Sequence, residues 1–481
     1  MTRPASLLLL LAGLLFFFAL GNHELQGSTE ARVAGIAMAM HLDNNWVVPQ
    51  LFREPFLEKP PLSLWLDAGA IRLFGGTPGA VRLASAFAGL FSVMLLYGML
   101  RTFGRPKTLA FCAALILATM ASYWSNVRGV GEDALLALGV TAALLAFFQA
   151  QRASTLGNSL LFVVGIAIAT LSKGVLGLAM PGVVIFAYLL ADNLMDKRLK
   201  IADWLRPGLL TMVGLIPLLI WLVILFQHGG AQAVKEVLLT NSVGRFSGSF
   251  VEAGHYEPFY YYLAKLPQAF LPWNILVYLG LWHFRKSLAN NRYLLFFSVW
   301  LLAEFVMLSL ASSKRTVYLM SLTPAAAVIA AEYAAVLYER LRQRTQGTGL
   351  LGKIARQRRN LAIGLLSLVI VTYLAAAQWA APRADRKLSF LPLTEQIQTL
   401  QAEGNEVALF QANERTAGAT VFYTHSLLKD LQTDDELNRF LAASPTHVAL
   451  IASDSEPAPP LKVLKQMMVG RQAYYFVSGD K

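Results

Sequence analysis

The chain has 481 residues, 56% of them hydrophobic and 15% charged, with a mean hydropathy of +0.50. That is too apolar for a soluble protein of this length and reads as an integral membrane protein. The net charge of +12 comes from lysines and arginines gathered in short loops between apolar runs, with no basic stripe that would suit nucleic acid, and the single Cys112 excludes an intrachain disulfide or a thiolate metal cluster.

Apolar runs of about membrane-spanning length predict helices near 5–21, 82–101, 108–123, 134–151, 159–172, 174–191, 206–227, 268–284, 293–311, 316–338 and 360–380. The expected fold is therefore an all-α polytopic membrane protein of about 11 transmembrane helices. With a cytoplasmic N-terminus, the loops carrying Arg101, Arg105 and Lys107, then Arg152, then Lys197, Arg198 and Lys200, then Arg285 and Lys286, and the run from Arg340 to Arg359 all fall on the cytoplasmic side. The acidic and aromatic loops fall on the other. The first run, followed by Ala19-Leu20-Gly21, can also be read as a cleaved signal peptide, and the loop after it emerges on the same face either way.

Two long extracytoplasmic loops are expected, 22–81 and 228–267, within a membrane domain of 1–381. Residues 382–481 read as a small C-terminal soluble α/β domain on the same face, with strands at 406–410 and 447–451 and a helix at 434–443. No internal repeat is visible, and neither are the inverted halves common among transporters.

The first loop opens with Gly27-Ser28-Thr29-Glu30-Ala31-Arg32-Val33-Ala34-Gly35-Ile36-Ala37. It continues through Asn45-Trp46-Val47-Val48-Pro49 to Glu54-Pro55-Phe56-Leu57-Glu58-Lys59-Pro60-Pro61-Leu62, where two prolines stiffen the chain beside a lysine. Arg128, Glu132 and Asp133 follow in the second outer loop, and Leu171-Ser172-Lys173-Gly174 precedes a span. Asn241 to Phe246, His255, Pro258, Tyr260 to Tyr262, Pro272-Trp273, and then Ser313-Lys314, Tyr318 and Pro324 complete the series. This ordered set resembles the motifs DE-x-RYA-x-IA, GDWxVP, EKPPL, LTKG, ENxxRF and SK…Y…P of the polyprenyl-phosphate-dependent GT-C glycosyltransferases, the group of the bacterial aminoarabinose lipid A transferases and the protein O-mannosyltransferases. The resemblance covers roughly residues 20 to 330. Thr29 departs from it, standing where many members carry the first acid of the DE pair.

The resemblance implies a GT-C fold and transfer of a sugar, with inversion, from a polyprenyl-phosphate-linked donor to an envelope acceptor, whether lipid A-like lipid, protein or glycan. The expected location is the bacterial inner membrane, with the active site and C-terminal domain extracytoplasmic. Such a displacement needs a base or orienting group for the acceptor and positive charge on the departing phosphate. Glu30 and Asp133 are the candidate catalytic acids. Lys59 and Arg245 are the candidate phosphate ligands, joined by Tyr318 and Lys314. Arg32, Glu58, Glu132, His255 and Tyr260 are weaker substrate-binding candidates.

Each candidate has a plainer reading: interfacial anchoring for the acids, snorkelling for Lys59, and an aromatic belt for Tyr260 to Tyr262 and Trp273. Glu304, inside an apolar run, reads as structural. No His or Asp spacing forms a metal cage, so no obligatory metal is expected, although a weakly held divalent ion at the carboxylates is compatible with the sequence. The competing functions are a transporter or flippase of lipid-linked saccharides, a polysaccharide polymerase or ligase, and a non-enzymatic scaffold. A transporter would place its polar sites near the bilayer midplane, whereas the charges here cluster at one interface. The acceptor, the sugar and the oligomeric state are not legible.

Overall fold

The computed structural model describes residues 3–51, 54–249, 255–343 and 350–479; the side chains at 242, 245, 350–355, 384 and 386–387 lie outside the description. By packing, the chain divides into two compact units. One comprises 1–18, 58–62 and 85–375, and the other 19–57, 63–84 and 376–481.

The first unit is helical. Across the described residues of the whole chain, seven helices are long and apolar enough to cross a membrane: Pro78–Thr102, Asp133–Arg152, Leu156–Asp196, Ile201–Asn241, Arg292–Leu310, Thr316–Gln343 and Arg356–Arg383. Three shorter apolar helices, Arg3–Phe17, Lys107–Ala118 and Asn274–Phe284, coincide with further predicted runs.

The 41-residue run Leu156–Asp196 is broken where Lys173 (φ −144°, ψ 23°) and Gly174 (φ 53°, ψ −126°) leave helical geometry. A positive φ with that ψ is open to glycine and strained for other residues. Past the break, a Cβ added at Gly177 would overlap the Ala169 carbonyl. Residues eight apart on a straight helix lie about 12 Å apart along its axis, so this contact means that the chain doubles back. The run is a helical hairpin with Lys173 at its tip, and its limbs match the predicted runs 159–172 and 174–191.

Small residues set how the first limb meets its neighbour. A Cβ on Gly139 would lie 2.5 Å from the Ala169 nitrogen, and one on Gly165 would lie 2.5 Å from the Ala143 nitrogen. Asp133–Arg152 and the first limb therefore touch backbone to backbone, as glycine-lined helix pairs do in membranes. The same contact brings Asp133 and Lys173 to one end of the bundle.

The second unit contains two short antiparallel strands, β1 (Gln50–Leu51) and β2 (Glu54–Pro55), and a five-stranded mixed sheet. The sheet is built from β3 (Glu406–Phe410), β4 (Lys429–Leu431), β5 (His447–Ser453), β6 (Lys462–Val469) and β7 (Gln472–Ser478), in the order β4-β3-β5-β7-β6. β3 runs parallel to both β4 and β5, while β7 is antiparallel to β5 and β6. The strands expected at 406–410 and 447–451 and the helix at 434–443 are present. Gly27–Asp43 packs on Glu414–Thr424, where Gly35 meets Gly418 so closely that neither position has room for a Cβ.

Gly165→Ala is expected to lower the thermal denaturation midpoint of the detergent-purified protein, because overpacking a tight contact costs about 1–3 kcal/mol. Gly98→Ala, on a helix where nothing lies within 4 Å of an added Cβ, should be neutral or stabilising, since alanine exceeds glycine in helix propensity by about 1 kcal/mol.

Candidate active site

Glu132 is the N-cap of Asp133–Arg152, and Asp133 opens its first turn, where the helix dipole favours negative charge. Glu132 is 3% exposed and Lys173, at the hairpin tip, 6%. Glu132 Oε1 lies 2.7 Å from Lys59 Nζ and 3.2 Å from Lys173 Nζ. Lys173 also ion-pairs with Asp133 Oδ1, and its ammonium sits 4.3 Å from the centre of the Tyr318 ring. Lys59 Nζ is 3.9 Å from Glu58 Oε2. One buried carboxylate thus joins two cations delivered by different parts of the chain. Burial pushes the Glu132 carboxyl up, but Lys59 and Lys173 outweigh it and hold the group well below the usual carboxylate range.

Beside this cluster is a cavity of about 70 Å³. Glu58, Lys59, Lys173, Asn241, Ser313 and Tyr318 make its polar lining, and Leu176, Phe246, Leu308 and Ala311 its apolar one. Charge beside a greasy wall is what a phosphate attached to a hydrocarbon chain requires.

Glu30, Arg32 and Lys314 are each held by partners of their own. Glu30 belongs to the second unit, where Arg82 donates to both of its oxygens at 3.1 and 2.8 Å and the Gln26 N–H donates to Oε2 at 2.8 Å. Arg82 is fully buried and also donates to the carbonyls of Leu20, His23 and Glu24. Glu30 is therefore the counter-ion of a clamp on the start of its own helix. Arg32, also in the second unit, pairs with Glu414 at 2.7 Å and lies over the Phe56 ring.

Lys314 spends its ammonium on the carbonyls of Glu257, at 2.9 Å, and Ala311. Its N–H meets the His255 carbonyl at 2.8 Å. Burial lowers its pKa, opposed by the nearby Glu257. It pins the loop around 255–257 to the end of Arg292–Leu310 and does not line the cavity. The His255 and Tyr260 residues are exposed. The Arg245 backbone begins the short helix Arg245–Ser247, while its side chain lies outside the described residues.

The candidate residues read from the sequence include neither Lys173 nor Arg82. For Lys173 the usable signal was the glycine beside it, which marks a break in an otherwise continuous apolar run. For Arg82 it was a lone cation a few residues into a long apolar helix. Tyr262, read as part of an aromatic belt, instead exchanges hydrogen bonds with the Arg315 backbone, both at 3.1 Å, and fixes the approach to Tyr318. Among the described residues, no three or more His, Cys, Asp or Glu side chains are grouped to hold a metal ion.

Residues 58–221 match the family described as dolichyl-phosphate-mannose-protein mannosyltransferase, a window containing Glu58, Lys59, Glu132, Asp133 and Lys173. The undecaprenyl phosphate-alpha-4-amino-4-deoxy-L-arabinose arabinosyl transferase of Pseudomonas paraeruginosa is 30% identical over 383 residues, 77% of this chain and 65% of that protein. The arabinosyl transferase 2 of the same description from Proteus mirabilis is 28% identical over 333 residues, 68% of this chain and 59% of that one. The matched region spans less than two thirds of the length of either relative. The crystal structure of ArnT from Cupriavidus metallidurans bound to undecaprenyl phosphate superposes with a TM-score of 0.76 at 20% identity, covering 98% of this chain and 97% of that one. The fold is shared, and the resemblance to the polyprenyl-phosphate-dependent GT-C group read from the motifs is borne out.

Because the folded pKa of Glu132 is depressed, its contribution to stability is complete above the unfolded value of about 4.3 and is lost as pH falls through the folded value. The denaturation midpoint should therefore hold at neutral pH and drop below about pH 4. Glu132→Gln leaves the buried Lys173 and the half-buried Lys59 without their shared partner and should lower the midpoint at neutral pH, by an amount corresponding to about 3–5 kcal/mol. Its acid limb should also be shallower than that of the wild type.

Proposed function

We propose that the chain is a membrane glycosyltransferase that moves a sugar from a polyprenyl-phosphate donor to an envelope acceptor on the extracytoplasmic face. The observation that carries this reading is the convergence of Lys59 and Lys173 on Glu132 at a cavity lined by both polar and apolar side chains. The two ammonium groups supply charge for a departing phosphate, and the apolar wall suits the first units of an isoprenoid. Asn241 and Phe246 line the same cavity and bracket Arg245 in sequence, so the reading assigns Arg245, with Lys59, to the donor phosphate. Tyr318 holds Lys173 in place through its ring.

The reaction proposed is a single displacement at the anomeric carbon, with inversion: the acceptor oxygen forms the new bond as the bond to the polyprenyl phosphate breaks. The amino-pentose named for both relatives is the favoured sugar. Glu30, Glu132 and Asp133 each sit in an ion pair. That favours an acceptor arriving as an anion, such as a sugar phosphate of a lipid A-like molecule, over a hydroxyl that must first be deprotonated. The seven long helices, one of them a hairpin, together with three shorter apolar ones, support eleven passages of an inner membrane. Basic loops then face the cytoplasm and the Lys59 cluster faces outward.

Purified protein given a polyprenyl-phosphate sugar is expected to transfer it, with turnover unchanged by a chelator and the product inverted at the anomeric carbon by NMR. Efficient use of a nucleotide sugar with indifference to the lipid-linked one would overturn the assignment, and movement of the lipid without consumption would favour a transporter. Lys59→Ala should insert normally yet lose roughly ten- to a hundredfold in transfer, the scale of one charge-assisted contact.

A further inference from the structure

A second cavity of the helical unit, larger than the one beside Lys59, lies at the opposite end of its bundle. Arg152 closes the helix that Asp133 opens, about 28 Å away along the axis. Around it gather the ends of the neighbouring helices, with Asp192 and Asp196 finishing the hairpin, Asp203 in the first turn of the helix that follows, and Arg292 starting Arg292–Leu310. The cavity measures about 570 Å³, within the range of ligand sites, and its floor includes the rings of Phe148 and Tyr188.

Its charges are mostly spent on one another. Arg292 binds Asp192 at 2.7 Å and Asp196 at 2.5 Å, Lys200 binds Asp196 at 2.9 Å, and Arg105 binds Glu332 at 2.5 Å. Two lining groups stand outside these pairs. Arg152 gives one donor to the Phe103 carbonyl at 3.0 Å and makes no ion pair among the described residues. Asp203 likewise makes none there. The cavity therefore offers one guanidinium and one carboxylate outside its ion pairs, where the helices end, the carboxylate within electrostatic reach of Lys200.

We propose that this cavity binds the headgroup of a zwitterionic phospholipid carrying a primary amine, with Arg152 on the phosphate and Asp203 on the ammonium. A purely anionic headgroup would leave Asp203 opposed to like charge. A quaternary amine has no N–H to donate to it. Basic pockets between transmembrane helices bind anionic lipid headgroups; the acids here shift that preference toward a headgroup that also carries an amine, and this cavity shares no lining residue with the Lys59 cavity.

The test reconstitutes the full chain in nanodiscs of equal phosphatidylethanolamine, phosphatidylglycerol and phosphatidylcholine, re-extracts it in mild detergent, and measures retained lipid by native mass spectrometry. The wild type is expected to retain phosphatidylethanolamine over the other two by about tenfold, the scale of one charge-assisted hydrogen bond. Asp203→Asn, a nearly isosteric change that keeps the fold, should abolish the preference for the amine, and Arg152→Ala should reduce retention of all three lipids. Transfer activity should stay unchanged in both variants. Preference for phosphatidylglycerol, retention no greater than for bulk lipid, or an Asp203→Asn variant with unaltered preference would each overturn the proposal. Displacement of the retained lipid by dilute water-soluble phosphoethanolamine would overturn the lipid as the ligand.

Discussion

A carboxylate buried between two ammonium groups governs the helical unit. Glu132 ion-pairs with Lys59 and Lys173 through the same oxygen, and Asp133 takes Lys173 as well. Removing charges from water is expensive unless each finds its partner, and loss of one partner leaves the others uncompensated. The three elements that deliver these residues are therefore constrained together: the segment Glu58–Leu62, the start of Asp133–Arg152, and the tip of the hairpin. Lys59 and Lys173 stand against three acids, Glu58, Glu132 and Asp133, so the cluster carries no uncompensated buried positive charge before a phosphate arrives.

The backbone makes this meeting possible. Lys173 reaches Asp133 because Gly174 permits the reversal and Gly177 lets the limbs close, while Gly139 and Gly165 allow the neighbouring helix to approach. In a bilayer, helices gain little from burying apolar surface against each other, so close packing at small residues carries much of the association. The catalytic proposal thus rests as much on four glycines as on the charged residues. In the second unit the same device recurs at Gly35 and Gly418, and a buried arginine, Arg82, organises the residues around Glu30.

What was legible in the sequence follows from the physics of each signal. Long apolar runs announce membrane helices because every backbone group must be satisfied within the segment, and most predicted runs have a helix in place. Strands β3 and β5 were visible as short apolar stretches bounded by polar residues. β6 was not, because its exposed, lysine-containing pattern gives no such contrast. Lys59, Glu58, Glu132 and Asp133 were picked out by motif, and the structure brings them together. Lys173 is absent from the sequence candidates although the runs 159–172 and 174–191 place it at a reversal, because its pairing with Asp133, 40 residues away, and with Glu132 leaves no local signal. The ion pair of Glu30 with Arg82 joins residues 52 apart in sequence, and no local period reports such a pairing.

The central claim is that the Lys59, Glu132 and Lys173 cluster receives the phosphate of a polyprenyl carrier. A cryo-electron microscopy structure of the full chain in nanodiscs with added undecaprenyl phosphate tests it most directly. The expected result is phosphate density in the cavity beside Tyr318, within about 2.7–2.9 Å of Lys59 Nζ, as for a charge-assisted hydrogen bond, with the isoprenoid leaving along Leu176 and Leu308. Density for the phosphate elsewhere, with the Lys59 to Glu132 contact unchanged, would contradict it.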